Sequence, residues 1–167
     1  MNRISSSTTK DIKIFTGSYN NCKSGNLVSI SGDKGRSGGF NGNSYTKLAP
    51  KREFWNKWHN NIEKISEDEN NKFYMEQFYE KVLSNLDVRE ILYDLQRFGN
   101  SVILLCFENE KEFCHRHLVA TWLEEKLQIE IPEVAVDDKG NIKVLQRNLK
   151  YVREFRKIIN IKEKGCK

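Results

Sequence analysis

The sequence predicts an α/β fold, with a small central, mainly parallel sheet flanked by helices and a basic C-terminal helix. The near-continuous apolar run SVILLCF, residues 101–107, is typical of a strand that is covered on both faces. The helical pattern CHRHLVATWLEEKL, residues 114–127, follows this strand after a short gap. Strand and helix patterns also precede and follow this pair, and no internal repeat interrupts them.

Two strands and a long loop open the chain. Apolar alternation in IKIFTGSY, residues 12–19, predicts the first strand, and LVSIS, residues 27–31, predicts the second. The glycine-rich segment SGDKGRSGGFNGNSY, residues 31–45, predicts a loop. A loop of this length usually has a function, such as an anion cradle, a mobile lid or a partner-binding surface.

Three helices are predicted between this loop and the apolar strand. The first begins at Pro50, the second covers residues 72–86, and the third begins at Asp87 with a D-x-x-E capping pattern. The aromatic residues of the first helix recur at helical spacing, which is what a buried face requires, so we interpret Trp55 and Trp58 as core residues.

The C-terminal part is strongly basic. The segment 131–145 predicts one or two strands, and residues 146–161 form a basic amphipathic helix. Residues 139–167 contain ten Lys or Arg and two acidic residues, a net charge of +8, so the rest of the chain carries −3 within the total of +5. We therefore divide the chain into a flexible leader, residues 1–10, an α/β domain, residues 11–138, and a basic extension, residues 139–167, that either binds nucleic acid or is a solvated helix.

Composition restricts the class of protein. A length of 167 residues, 38% hydrophobic and 31% charged residues, and a mean hydropathy of −0.69 indicate one globular domain rather than a disordered chain. No run approaches the roughly 20 apolar residues of a membrane span, and MNRISSSTTK lacks the apolar core of a signal peptide. We therefore expect a cytoplasmic protein without a membrane partner, whose four cysteines are reduced.

The segment ILLCFENEKEFCHRH, residues 103–117, concentrates the reactive side chains of the chain. In open α/β sheets, ligands bind beyond the carboxyl ends of strands, where loops lead into helix N-termini. Cys106 and Glu108 lie at such a strand end, and Cys114 lies at the start of a helix. The helix N-terminus and the neighbouring Arg116 favour a thiolate, so Cys114 is the preferred reactive thiol.

The neighbouring side chains complete a candidate site. His115 suits a general base or an ion-pair partner of a thiolate, Glu108 a second acid or base, and Arg116 a clamp for phosphate or carboxylate. The candidate catalytic residues are Cys106, Glu108, Cys114 and His115. His117 aligns with Thr121 and Glu124 on the helix, and we predict that it faces solvent.

Two alternatives remain open from the residues alone. In the first, both cysteines are buried small hydrophobes, His115 and Arg116 brace the helix, and Glu108 is a turn residue. In the second, Cys106, Cys114 and His115 ligate zinc, but C-x7-C-H is no standard zinc pattern, so we assign no metal and do not favour zinc. A redox disulfide between the cysteines is favoured still less because the C-x-x-C spacing is absent.

The chain resembles the short branch of a bacterial and phage family catalogued as domain of unknown function 488. The resemblance spans roughly residues 11–137, and its most specific part is the Cys-x-Glu and Cys-His-Arg pair of motifs. The segments that carry it are LLCFE at 104–108, FCHRHLVATWL at 113–123, TGSY at 16–19, VSIS at 28–31, YTKLAP at 45–50 and FYMEQFYEKVLSNLD at 73–87. Longer members carry a Gly-His-Ser motif and an Asp-x-Arg motif that are missing here.

The resemblance implies an α/β fold and a functional site at these motifs, and it adds Thr16, Ser18 and Tyr45 as candidate ligand-binding residues beside Arg116. The sequence thus favours an enzyme, a cysteine-dependent transferase or hydrolase, that acts on a phosphate-bearing, nucleotide or nucleobase ligand. The alternative is a non-catalytic module that sequesters a nucleotide or binds nucleic acid through residues 139–167. Neither hypothesis specifies a cofactor.

Overall fold

A six-stranded sheet forms the centre of the computed structural model, which describes residues 12–165. The strands lie in the order β3-β2-β4-β1-β5-β6, and all neighbours are parallel except β5 and β6. Their bounds are β1 Lys13–Ser18, β2 Leu27–Ser29, β3 Asn43–Ser44, β4 Ser101–Cys106, β5 Glu133–Val136 and β6 Ile142–Leu145. The predicted α/β class and mainly parallel sheet are confirmed, and the predicted leader lies outside the described residues.

Five helices flank the sheet in the described residues. Their bounds are α1 Arg52–Asn60, α2 Glu67–Lys81, α3 Val88–Gln96, α4 His115–Leu127 and α5 Leu149–Gly165. Side chains cap two of these helices: the Ser66 hydroxyl accepts from the backbone N–H of Glu69, and the Asp87 carboxylate accepts from that of Arg89. None of the described helices has the length and apolar content needed to cross a bilayer.

The middle of the sheet is buried because β4 lies between β1 and β2, and because the main core covers one face of this strand and a smaller hydrophobic cluster covers the other. Leu104 and Leu105 point to opposite faces of β4, and both are fully buried. The first nine residues of α4, His115–Leu123, are also buried. The apolar run in the sequence is therefore a central strand, as predicted.

The C-terminal residues continue the same folded unit. Strand β6 pairs with β5 in antiparallel register from Glu133–Leu145 to Val136–Ile142. Helix α5 packs against α4 and buries Phe155, Ile158 and Ile159. The predicted basic C-terminal helix is present, and its apolar face belongs to the main core.

The predicted loop, residues 31–45, contains the strand β3 and a 3₁₀ turn at Arg36–Gly38, and a second 3₁₀ turn at Thr46–Leu48 follows it. Helix α1 begins at Arg52, two residues after Pro50. Phe54 is buried and Trp58 packs against the main core, as the sequence interpretation expected for the helix face. Trp55 differs from that interpretation, because it is 39% exposed and lines a cavity described below. Helical spacing identified the helix without showing that part of its inner face borders a cavity.

Candidate functional site

A cavity of about 540 Å³ opens at the carboxyl ends of β2 and β4, beside the N-terminus of α4. Cys106, Cys114 and His115 line it, and each of these residues is at most 5% exposed. We call these three residues the thiol–imidazole cluster. The sheet topology explains their meeting, because Cys106 ends β4 and the next helix starts at His115 with Cys114 as its N-cap.

Hydrogen bonds fix the orientation of the His115 ring. Its Nε2 lies 2.8 Å from the carbonyl oxygen of Ile30, and its Nδ1 lies 3.7 Å from Cys106 Sγ. A carbonyl oxygen can only accept, so Nε2 carries a proton and Nδ1 of the neutral ring has a free lone pair. This lone pair can take a proton from Cys106 or bind a metal ion.

The two thiols of the cluster have different acidities. Cys114 donates a hydrogen bond to Cys106, and this bond holds the pKa of Cys106 below its ordinary value although burial opposes the shift. Burial raises the pKa of Cys114 well above its ordinary value, and the same hydrogen bond adds to the effect. Cys106 is therefore the more easily ionised of the two thiols, and the role of Cys114 as the reactive thiol stays a prediction.

Polar groups surround the Cys106 sulfur on the cavity side. The Ser31 hydroxyl donates to it at 3.6 Å, and Glu108 Oε1 lies 3.9 Å away. The Ser31 hydroxyl is in turn 2.8 Å from that of Tyr19. Glu108 therefore lies close enough to exchange a proton with a group bound at Cys106, and its role as an acid or base stays a prediction.

Aromatic side chains form the walls of the cavity. The lining includes Trp55, Trp58, Tyr74, Phe107 and Phe113. Several of them contact one another, with ring centroids 5.2 Å apart for Tyr74–Phe113 and 5.4 Å apart for Trp58–Tyr74. Flat apolar walls of this kind suit a planar ligand.

Two exposed charged residues, Arg52 and Asp33, lie at the cavity mouth. Arg52 is the only Arg or Lys among the described residues that line the cavity. Its guanidinium is the cationic group available to a phosphate or carboxylate that projects from a bound ligand. Asp33 is instead engaged in the loop, where its carboxylate accepts from the backbone N–H groups of Gly35 and Ser37.

Arg116 does not line the cavity. It is fully buried and forms a bidentate pair with Glu133, with distances of 3.1 Å from Nε to Oε1 and 2.7 Å from Nη2 to Oε2. Its Nη1 donates to Cys114 Sγ at 3.6 Å. The predicted anion clamp is thus not supported by this position, and Arg116 instead braces the cluster from behind.

His117 is buried, with 2% of its surface exposed, so the prediction that it faces solvent is wrong. The prediction assumed that one face of α4 is exposed to solvent, but the C-terminal residues cover that face. Arg147 Nε donates to His117 Nδ1 at 3.2 Å, and burial together with the charge of Arg116 lowers the pKa of His117 to about 3. The imidazole is therefore neutral, and its 3.9 Å approach to Glu133 is not an ion pair.

The three candidates taken from the family resemblance lie away from the cavity. The Thr16 hydroxyl donates to Glu133 Oε1 at 2.6 Å and accepts from Arg147. Ser18 Oγ accepts from the backbone N–H of Asn21, and the Tyr45 hydroxyl donates to Asp94. None of the three lines the cavity, so a contact with a ligand there stays a prediction.

The sequence interpretation missed Glu133, Ser31 and the cavity-lining role of Trp55. Glu133 had a detectable signal, because a lone acid in the apolar segment IPEVAV needs a buried cation to be stable in a strand. Ser31 had no such signal in the sequence, because its contact with Cys106 depends on the pairing of β2 with β4.

The cluster is also the group of described residues suited to a soft metal ion. One ligand atom from each of Cys106, Cys114 and His115 lies within 4.8 Å of the other two. Two thiols and an imidazole are the donors that zinc prefers. The site can therefore provide either a thiol nucleophile or a metal centre.

The fold is that of a small α/β protein, and a cavity lined by two thiols opens at the carboxyl edge of its sheet. The chain belongs to the DUF488 family: the model of the active DUF488-N3 subclade matches residues 32–127, which is more than half of the chain. The match includes the whole thiol–imidazole cluster. Searches of curated proteins and of solved structures return no significant match.

Proposed function

We propose that this protein is an enzyme that acts on a planar, anionic ligand of the nucleotide or nucleobase class, bound in the cavity beside the thiol–imidazole cluster. One observation carries the proposal: Cys106 Sγ lies in an aromatic cavity, 3.7 Å from the lone pair of an imidazole that a backbone carbonyl orients. An oriented base next to a thiol is the arrangement that activates a cysteine or prepares a metal site.

The size and aromatic walls of the cavity support the ligand class. Its volume of about 540 Å³ suits a nucleotide-sized molecule, since small-molecule pockets usually span roughly 300–1,000 Å³. A base can stack on Trp55 or Phe107, because aromatic walls bind the face of any base. Arg52 at the mouth is suited to the phosphate that such a base would carry.

Catalysis is favoured over simple sequestration by the groups next to the sulfur. A binding pocket gains nothing from a buried thiol, an oriented imidazole and a nearby carboxylate, whereas general acid–base chemistry needs such groups within reach of one another. The description of the matched subclade as active is consistent with an enzyme. A cysteine-dependent transferase or hydrolase fits these groups.

The test is a turnover screen with the full chain. Nucleobases, nucleosides, and nucleoside mono- and diphosphates are incubated with the protein, with and without added zinc, and followed by liquid chromatography and mass spectrometry. We expect one component to be consumed, and Cys106→Ser to lower its rate at least about 100-fold, as expected for loss of a reacting group. Cys22→Ser is the matched control, because Cys22 is buried in the smaller hydrophobic cluster, away from the cavity.

Two results would overturn the proposal. Tight retention of a nucleotide without turnover would make the protein a sequestering module. Equal loss of activity in the Cys106→Ser and Cys22→Ser proteins would mean that the cluster is not where the reaction occurs.

A further inference from the structure

We propose that Cys106, Cys114 and His115 bind one zinc ion, with a fourth coordination position open to the cavity. The binding itself rests on the geometry of the three side chains. Its catalytic consequence rests on the function proposed above. The proposal deepens that function by assigning the thiols as ligands and a zinc-bound water as the attacking group.

The distances suit tetrahedral zinc. Zinc binds sulfur at about 2.3 Å and nitrogen at about 2.0–2.1 Å, so neighbouring ligand atoms in a tetrahedral site lie roughly 3.5–3.8 Å apart. The 3.7 Å between Cys106 Sγ and His115 Nδ1 falls in this range, and Cys114 Sγ lies within 4.8 Å of both atoms. All three ligand atoms can therefore approach one ion once Cys114 Sγ lies at the tetrahedral spacing from the other two.

Each ligand already has an outer partner. The Ile30 carbonyl accepts from His115 Nε2 at 2.8 Å, which directs the lone pair of Nδ1 towards the sulfurs. The Ser31 hydroxyl donates to Cys106 Sγ, and Arg116 Nη1 donates to Cys114 Sγ, both at 3.6 Å. Zinc ligands are typically held by such partners, which fix the ring and stabilise the charge on sulfur.

Charge balance provides a separate reason. Two buried thiolates would be costly in a dry site, but zinc neutralises both of them. Arg116 cannot supply this balance, because its charge is already neutralised by Glu133. A divalent cation would supply the counter-charge that the cluster needs when its thiols release their protons on metal binding.

The open position gives the site its chemistry. Three protein ligands with a free fourth position are typical of catalytic rather than structural zinc. Glu108 lines the cavity 3.9 Å from Cys106 Sγ and is suited to remain outside the ligand set. A zinc-bound water would pass one proton to the Glu108 carboxylate, and the hydroxide left would bond to an electrophilic carbon of the ligand. The bond from that carbon to its leaving group would then break, and Glu108 would return the proton to the leaving group.

The test uses the metal alone as its probe. Purified full-length protein is stripped with a chelator and titrated with zinc against a chromophoric competitor, and then with cobalt to record its visible spectrum. We expect one tightly bound zinc per chain and the absorption bands of tetrahedral, thiolate-bound cobalt. Cys106→Ser, Cys114→Ser and His115→Ala should each weaken binding more than about 100-fold, since loss of outer partners alone costs roughly 10–100-fold. Cys22→Ser should bind normally.

A measurement on the unmodified chain covers the case in which a variant does not fold. Bound zinc should slow the alkylation of Cys106 and Cys114, mapped by peptide mass spectrometry, and leave that of Cys22 unchanged. Absence of binding, or binding that survives loss of both cluster thiols, would overturn the metal site. If the protein binds zinc but turns over no ligand, the proposed enzymatic function is refuted and the zinc site stands. If metal-free protein shows turnover that depends on Cys106, the proposed role of zinc is refuted and the enzymatic function stands.

Discussion

At the scale of single residues, the buried pair Arg116–Glu133 positions the site. Glu133 is 1% exposed and accepts from Arg116 and from Thr16, while Arg116 also reaches Cys114 Sγ. Burial alone would raise the pKa of Glu133, but the hydrogen bonds and charge of Arg116 outweigh it and hold the pKa below its ordinary value. The ionised carboxylate therefore connects β5 to the start of α4.

Removing this charge should destabilise the fold in a pH-dependent way. We expect Glu133→Gln to lower the free energy of unfolding by about 3–5 kcal/mol at pH 7, because it leaves Arg116 buried without a counter-charge. A depressed folded-state pKa contributes stability that is fully present above the ordinary value of 4.5 and is lost as the pH falls through the folded-state value. The difference between the two proteins in urea unfolding should therefore shrink towards acid pH.

The exposed Glu130 supplies the matched control, and Glu130→Gln should be neutral at every pH. If Glu133→Gln does not fold, Thr16→Val removes one hydrogen bond to the same carboxylate and should show the same trend on a smaller scale. A stability loss that stays constant between neutral and acid pH would contradict the role given to the ionised carboxylate.

At the scale of elements, the glycine-rich loop forms one edge of the cavity. Gly35 has φ +79° in a tight turn, and a Cβ there would lie 2.7 Å from the Tyr19 hydroxyl oxygen. The Tyr19 ring packs on Phe107 with a centroid distance of 4.8 Å, and Phe107 lines the cavity. The turn at Gly35 therefore helps to hold the Tyr19–Phe107 wall in place.

Substitutions at two glycines distinguish the cost of backbone strain from the cost of a steric clash. Gly39 also has a positive φ, +87°, but no atom lies within 4 Å of a Cβ built there. We expect Gly39→Ala to cost about 1–2 kcal/mol through the backbone alone. Gly35→Ala should cost about 1–3 kcal/mol more because its Cβ would also crowd Tyr19 and the Cβ of Phe40. Urea unfolding measures both, and equal losses would show that the contact with Tyr19 is unimportant.

The elements also show what the sequence could predict. The strand β4, the helix α4 and the Cys106–His115 contact follow from local patterns, because one strand and the next helix bring both residues to the same sheet edge. The burial of His117 and the pairing of Arg116 with Glu133 depend on β5 and on Arg147, just before α5, which come from distant parts of the chain. The apolar periodicity of one helix does not show which other segments pack against it. For the same reason, it did not show that Trp55 faces the cavity.

At the scale of the whole molecule, the basic C-terminal residues bind to the acidic remainder of the chain. Lys150 pairs with Asp68 at 2.6 Å, Arg156 with Glu125 at 2.6 Å, and Lys162 with Glu80. Each exposed pair contributes at most about 1 kcal/mol, so the buried face of α5 provides most of its attachment. Truncation at Lys139 would remove β6, α5 and Arg147 together, and it would disturb the fold as well as remove charge.

Charge-neutralising substitutions are therefore the proper test of nucleic-acid binding through this region. Lys143, Arg153 and Lys157 are exposed and can be changed to Gln together, while Lys13, Lys23 and Lys64 allow the same change of charge elsewhere on the surface. If the basic residues form the binding arm, affinity for a short DNA duplex should fall steeply with salt. The first variant should then reduce the slope of log K against log salt by about 3, since each phosphate that a cation neutralises adds roughly 0.9 to the slope. Fluorescence anisotropy measures these slopes, and equal slopes for the two variants would assign the basic residues to the fold alone.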